Sequence, residues 1–224
     1  MSPAVIVPFR SLDGGKSRLA SRLDQQARRR LCTAMLDRTL SLTSAYRNVL
    51  VVSDDEAVLE LIARAHEKVG FLLARQPRDL NRAVNEARAH VPLDQGLLIL
   101  PTDLVLLDQC ALAAFIGNGT RLSIAPDGAC GGTNLLLLPS AQAREFRFFY
   151  GIGSFGRHMA EARRLGVEPR VVRSSRSAFD LDIAEDLEMV SPEFFETGAA
   201  ATRANASLRV AFQHQTSISE RVVK

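Results

Sequence analysis

The stretch Ala4-Val5-Ile6-Val7-Pro8-Phe9-Arg10-Ser11-Leu12-Asp13-Gly14-Gly15-Lys16-Ser17-Arg18-Leu19 decides how this chain folds. Residues 4–7 are a short, wholly apolar run. Such a run suits a strand covered on both faces, as in a parallel α/β sheet. Pro8 ends it, because proline has no N–H to give to a ladder. A basic loop follows. Gly14 and Gly15 allow close backbone approach. Lys16, Arg18 and the loop's backbone N–H groups offer an anion site at a strand's carboxyl end, where open α/β sheets bind ligands. The loop is not a P-loop: Gly15-Lys16-Ser17 matches the end of that motif, but its first glycine would fall where Arg10 stands. Taken alone, the stretch reads equally well as an ordinary βα turn with solvated cations.

Working outward, apolar runs alternate with helical periodicity. Residues 25–42 place Leu31, Met35, Leu36, Thr39 and Leu42 on one side of a helix, with Asp24 as its cap. A strand at 48–52 runs into Ser53-Asp54-Asp55-Glu56, a cap with acids in the first turn of a helix over 56–69. A third strand is expected at 71–74. The next helix begins at Arg78-Asp79-Leu80-Asn81, with Asp79 able to cap it and Asn81 and Asn85 on one face. Those asparagines suit either capping or a polar ligand. Residues 96–100 form the strongest strand. Asp103 stands at its tip, as a satisfied turn residue or a metal ligand.

A helix over 108–117 and a strand over 122–125 come next, followed by a turn at Pro126-Asp127-Gly128. Gly131-Gly132-Thr133-Asn134 then opens a strand over 135–138, which is free to run antiparallel. Its glycines suit a ligand's approach or a hairpin. Ser154 is the expected cap of a helix over 154–165, a second anion-site candidate. His158, one turn in, reads as structural, as a lone histidine usually is. After a strand over 170–173, Asp180 and Asp182 alternate, so extended backbone points both carboxylates the same way. Two carboxylates on one side are costly without a cation, which argues for Mg²⁺. The alternative gives Asp182 a capping role. From Ser191 the composition shifts. Residues 197–207 read as a linker, and Leu208, Val210 and Phe212 alternate as one late strand. The fold class is α/β, a three-layer, mostly parallel sheet.

Composition excludes several classes. The 224 residues are 46% hydrophobic and 24% charged, enough for a sizeable core in a soluble protein. A net charge of only +3 implies no nucleic-acid partner, and Arg28-Arg29-Arg30 reads as a solvated helix face. The three cysteines, Cys32, Cys110 and Cys130, are widely spaced and form no CxxC pair. They suit a reducing cytoplasm rather than a disulfide framework or zinc site. No signal peptide is expected ahead of the first strand, and no run is long enough to span a membrane.

The ordered set of motifs is more specific than any one of them. Pro8…Gly15-Lys16-Ser17-Arg18-Leu19, Asp79-Leu80-Asn81, Pro101-Thr102-Asp103-Leu104, Gly132-Thr133-Asn134, Gly153-Ser154-Phe155…His158 and Asp180-Leu181-Asp182…Glu185-Asp186-Leu187 together resemble the CofC/FbiD family over residues 4–190. These are guanylyltransferases of coenzyme F-420 biosynthesis. The resemblance implies a nucleotide-diphospho-sugar-transferase-like, Rossmann-like domain over 1–192 and an extension over 193–224. It implies transfer of GMP from GTP to 2-phospho-L-lactate, phosphoenolpyruvate or 3-phosphoglycerate, with Mg²⁺ as the cofactor. Gly15 and Lys16 would hold the GTP phosphates, with Asp79 and Asn81 near the guanine and ribose. Asp103, Asp180 and Asp182 would be the metal-binding acids, and Thr133, Gly151 and Ser154 would hold the acceptor's phosphate. Lys16, Arg18 and Asp103 would carry catalysis. Three departures stand out: Arg10 replaces a frequent lysine, Ile183-Ala184 replaces the usual Thr-Pro, and Gly128-Ala129-Cys130-Gly131 alters the loop beside Thr133. The rivals are a nucleotidyltransferase with a MobA-type or sugar-phosphate acceptor, and a non-catalytic nucleotide-binding module. A homodimer is the macromolecular assembly left open.

Overall fold

The computed structural model describes residues 2–74 and 79–190. In chain order the strands are β1 (Ala4–Pro8), β2 (Val49–Ser53), β3 (Gly70–Leu73), β4 (Leu97–Ile99), β5 (Ser123–Pro126), β6 (Thr133–Leu138) and β7 (Arg170–Val171). The helices are α1 (Gln25–Leu42), α2 (Ala57–Ala65), α3 (Leu80–Arg88), α4 (Gln109–Ile116), α5 (Ser140–Ala143), α6 (Ser154–Arg164) and α7 (Ser175–Ala178). Short 3-10 turns cover Ser17–Leu19 and Ala184–Met189. The extension expected at 193–224, with its linker and late strand, lies outside the described residues.

The seven strands form one sheet in the order β3-β2-β1-β4-β6-β5-β7. β1 lies parallel between β2 and β4, and β6 runs antiparallel to both β4 and β5. That reversal brings Thr133, the first residue of β6, to the edge where β1 and β4 end. Alternation along β1 explains the two cores. Val5 and Val7 face the helices α1, α2 and α4, whereas Ala4 and Ile6 face α3, α5 and α6. Each fully buried Leu or Ile stabilises the fold by about 2 kcal/mol, so the three-layer sandwich follows from the period-two pattern in the strands.

Local signals act as expected at several helix starts. Asp24 accepts the N–H of Ala27 at 2.7 Å, and Asp79 accepts that of Asn81 at 2.9 Å; Asp108, expected inside its helix, caps it instead and accepts the Ala111 N–H at 2.8 Å. Two helix limits differ from the expectation. α2 stops at Ala65 because His66 leaves helical backbone and binds Asp37 Oδ1 through Nε2 at 2.7 Å. α6 is capped by Gly153, not Ser154. The cap residue takes φ 72°, a left-handed conformation open to glycine and costly for serine. Among the described residues, Cys32, Cys110 and Cys130 are free thiols, and no helix is long and apolar enough to cross a membrane.

Candidate active site

A cleft of about 660 Å³ opens at the carboxyl ends of β1, β2 and β4. The loop after β1 forms one wall. Its position is set by Asp55, whose Oδ2 accepts the Ser11 hydroxyl at 3.0 Å and the Leu12 N–H at 2.9 Å, while Oδ1 accepts the Ala57 N–H at 3.0 Å. Burial opposes the Asp55 charge, but these hydrogen bonds outweigh it and hold its carboxyl below the usual aspartate value. Gly15 packs directly on α1. A Cβ there would lie 2.7 Å from Cys32 Sγ and 2.7 Å from the Ser11 carbonyl oxygen. The glycine therefore serves close packing, and the left-handed residue of the loop is Lys16 itself, at φ 51°.

Lys16 turns its side chain into the cleft. Nζ donates to Asp103 Oδ2 at 3.1 Å and to Asp182 Oδ1 at 3.0 Å. Burial disfavours the ammonium, but Asp103 and Asp182 more than offset this and hold Lys16 above the ordinary lysine value. Asp180 completes the acidic cluster. Its carboxyl is raised first by burial, then by Asp103 and Asp182, against a hydrogen bond from Asn134 and the Lys16 charge. Arg18 NH1 reaches Asp182 Oδ2 at 3.0 Å from an exposed position.

The backbone explains why these acids converge. The Leu181 N–H donates to the Asp103 carbonyl at 3.0 Å, laying the extended segment 180–182 against the loop after β4. Leu181 is buried in the core, so Asp180 and Asp182, one residue to either side, line the cleft. Asp186 Oδ2 then accepts both the Asp182 and Ile183 N–H groups at 2.7 Å. Asp182 is thus held by a cap rather than acting as one.

Other expected site residues are placed differently. Thr133 and Asn134 line the cleft. Gly151 and Ser154 are not among the lining residues; they lie at the start of α6, with the Ser154 N–H donating to the Gly151 carbonyl at 3.0 Å. Asp79 caps α3, accepting from Asn81 N and Arg82 N. Asn81 clamps Tyr150: its Oδ1 accepts the Tyr150 N–H at 2.6 Å and its Nδ2 donates to the Tyr150 carbonyl at 3.2 Å. Leu80 and Tyr150, not Asp79 or Asn81, face the cleft from these segments. Two further lining groups went unread in the sequence. Asp54 Oδ1 and the Tyr150 hydroxyl are both buried with no hydrogen-bond partner among the described residues. Asp54 had only the signature of a helix cap, and Tyr150 that of an aromatic core run.

The donor set suits a hard cation. Among the described residues no three His, Cys, Asp or Glu side chains close into a cage. Mg²⁺ does not require one, because it is commonly held by one or two carboxylates together with substrate phosphates. Asp180 is raised first by burial and then by Asp103 and Asp182, so a cation beside it would favour its charged form.

The chain is 43% identical over 195 residues to the phosphoenolpyruvate guanylyltransferase of Rubrobacter xylanophilus, covering 84% of this chain and 92% of that one. It is 31% identical over 183 residues to the 2-phospho-L-lactate guanylyltransferase of Archaeoglobus fulgidus, covering 82% and 80%. A solved nucleotidyl transferase from Methanothermobacter superposes with a TM-score of 0.60 at 16% identity, covering 86% of this chain and 99% of that one. The fold is accordingly the one shared by nucleotide-diphospho-sugar transferases and cytidylyltransferases. The family profile described as guanylyl transferase, CofC like, matches residues 3–224, and the chain belongs to that family.

Proposed function

We propose that this protein transfers GMP from GTP to a small phosphorylated carboxylic acid and releases pyrophosphate. The observation that carries the reading is the convergence of Lys16, Asp103, Asp180 and Asp182 on one cleft at the sheet's carboxyl edge, in a guanylyltransferase family member. The acceptor's phosphate oxygen is already anionic, so its attack on the α-phosphorus needs no strong general base. The bond to the β-phosphate oxygen breaks as the new one forms, and pyrophosphate leaves with the electron pair. Catalysis is then a matter of alignment and of neutralising charge between two anions.

In this reading Gly15 and Lys16 hold the GTP phosphates. Lys16 exchanges a carboxylate for a phosphate oxygen as the nucleotide enters, and Arg18 neutralises the rim. Asp103, Asp180 and Asp182 hold Mg²⁺, which supplies Lewis-acid charge at the phosphates. Leu80 and Tyr150 border the nucleotide, with Asp79 and Asn81 supporting them from behind. Thr133, with Gly151 and Ser154 at the start of α6, takes the acceptor. Phosphoenolpyruvate is the leading acceptor, because the 43% identical relative carries that name; 2-phospho-L-lactate and 3-phosphoglycerate are the alternatives. The modest net charge and the three widely spaced cysteines support a cytoplasmic enzyme with no nucleic-acid or membrane partner, and a second copy of the chain is the one protein partner this reading admits.

The test is pyrophosphate release from GTP and Mg²⁺ with each of the three acids in turn. Turnover with one of them, abolished by a chelator, is expected. Tight GTP binding without pyrophosphate from any acid would instead identify a nucleotide-binding module.

A further inference from the structure

His158 is fully buried in α6, and both of its ring nitrogens are engaged. The Phe149 N–H donates to Nε2 at 2.9 Å. A backbone N–H can only donate, so Nε2 must carry a lone pair. A neutral imidazole has one N–H, which therefore sits on Nδ1. Nδ1 lies 2.9 Å from Thr133 Oγ1. The Thr133 oxygen thus accepts from the ring, and its own proton has to point elsewhere. Among the described residues no carbonyl or carboxylate takes that proton, and Thr133 lines the cleft.

Protonation of the ring would set an N–H against the Phe149 N–H. Burial, and then the nearby Arg157, hold the imidazole down at about 4, with Glu161 opposing weakly, so the neutral form persists at ordinary pH. Aromatic neighbours fix its plane: Tyr150 meets it edge-on at 4.9 Å and Phe146 lies 5.6 Å away. A neutral ring with both nitrogens bound to protein has no proton to trade with substrate.

We propose that His158 is a positioning residue that, by occupying one lone pair of the Thr133 hydroxyl, turns that hydroxyl's proton away from the ring and toward an anionic oxygen of the acceptor acid. The proposal rests on the reading above that Thr133 faces the acceptor. A free threonine hydroxyl can rotate to donate or accept. This one has its proton directed before substrate arrives, and preorganised donors of that kind favour strongly accepting, anionic oxygens. The site therefore favours an ionised phosphate or carboxylate oxygen at this position, because a charged oxygen is the stronger acceptor.

A double-mutant cycle tests this. Thr133→Val removes the donor at constant shape, and His158→Phe removes the ring's two bonds while keeping an aromatic. Each should raise the acceptor KM about tenfold or more, the scale of a hydrogen bond to a charged group, with the GTP KM within about twofold. Adding His158→Phe to Thr133→Val should change the acceptor KM by less than about twofold, because its effect runs through an absent hydroxyl. His158→Asn, whose amide can still donate from near the Nδ1 position, should recover most of the loss. Multiplicative effects in the double variant would overturn the proposal and leave His158 a packing residue. Should the aromatic variant fail to fold, imidazole ¹⁵N chemical shifts of the wild-type enzyme decide: a proton on Nδ1 is expected, and a proton on Nε2 overturns the proposal. A wild-type enzyme inactive with every acid removes the functional reading itself, an outcome separate from additivity in an active one.

Discussion

Lys16 combines a left-handed backbone with a side chain largely withdrawn from solvent between two carboxylates. Both features cost free energy: about 1 kcal/mol for the conformation and more for burying the ammonium unless it stays paired. Such costs persist where geometry serves a purpose, and here they aim an ammonium at the centre of the acidic cluster. Lys16→Ala keeps a residue whose steric preference in the left-handed region is no worse, so the backbone cost is unchanged. It removes the charge that Asp103 and Asp182 share. We expect kcat/KM for GTP to fall by about two orders of magnitude, equivalent to about 3 kcal/mol of lost transition-state stabilisation, while far-UV circular dichroism stays that of the wild type. Steady-state kinetics at saturating acceptor measure it. Wild-type GTP kinetics would take the loop out of the site.

At the scale of the element, the loop after β1 is shaped by what lies beneath it and beside it. Gly15 meets Cys32 Sγ and the Ser11 carbonyl, and Ser11 is itself tied to Asp55. A methyl group at Gly15 cannot be absorbed by a flexible side-chain end, because one of the two contacts is backbone. Gly15→Ala should displace Lys16, lower kcat/KM about tenfold or more, and cost about 1–3 kcal/mol of stability, the range for overpacking. Urea unfolding with parallel kinetics checks both halves, and unchanged values in both would show that the loop tolerates the methyl. The local features of this region are legible in sequence: the apolar strand, the glycines, the caps Asp24 and Asp79, and the alternation that aims Asp180 and Asp182 together. The contacts that complete the site are not. Asp55 grips Leu12 from 43 positions away, and Lys16 reaches Asp103 and Asp182 across 87 and 166. No periodicity encodes such pairs. The first two follow from the parallel order of β1, β2 and β4, which stacks three strand ends side by side, and the third from the Leu181–Asp103 backbone bond. Asp79 and Asn81 show the converse. Their motif is evident, but their polar atoms are engaged by α3 and Tyr150, so the residues that reach the cleft are their apolar neighbours.

Across the whole molecule, the antiparallel β6 joins the second core to the site. Thr133 starts that strand at the sheet's carboxyl edge, His158 binds it from α6, and the ring sits among Phe146, Phe149 and Tyr150. The neutral ring is therefore part of the fold as well as of the cleft, and global stability should record it. The unfolded chain protonates histidine near 6.5, whereas folded His158 does so only at about 4. Between those values the unfolded state binds the extra proton, so the stability tied to His158 is complete above about pH 6.5 and declines as pH falls toward the folded value. Its share of the loss between pH 7.5 and 4.5 is on the order of 2 kcal/mol. Carboxylates also make stability depend on pH, among them Asp180, raised chiefly by burial, and Glu161, held low chiefly by its hydrogen bond from Arg164. Comparison with His158→Asn removes their contribution, because both proteins share them. Urea unfolding at the two pH values should show the wild type losing about 2 kcal/mol more than the variant, the difference closing as pH rises through 6.5. Parallel losses in the two proteins would mean that the folded ring accepts a proton as readily as the unfolded one, and that its hold on Thr133 weakens in mild acid.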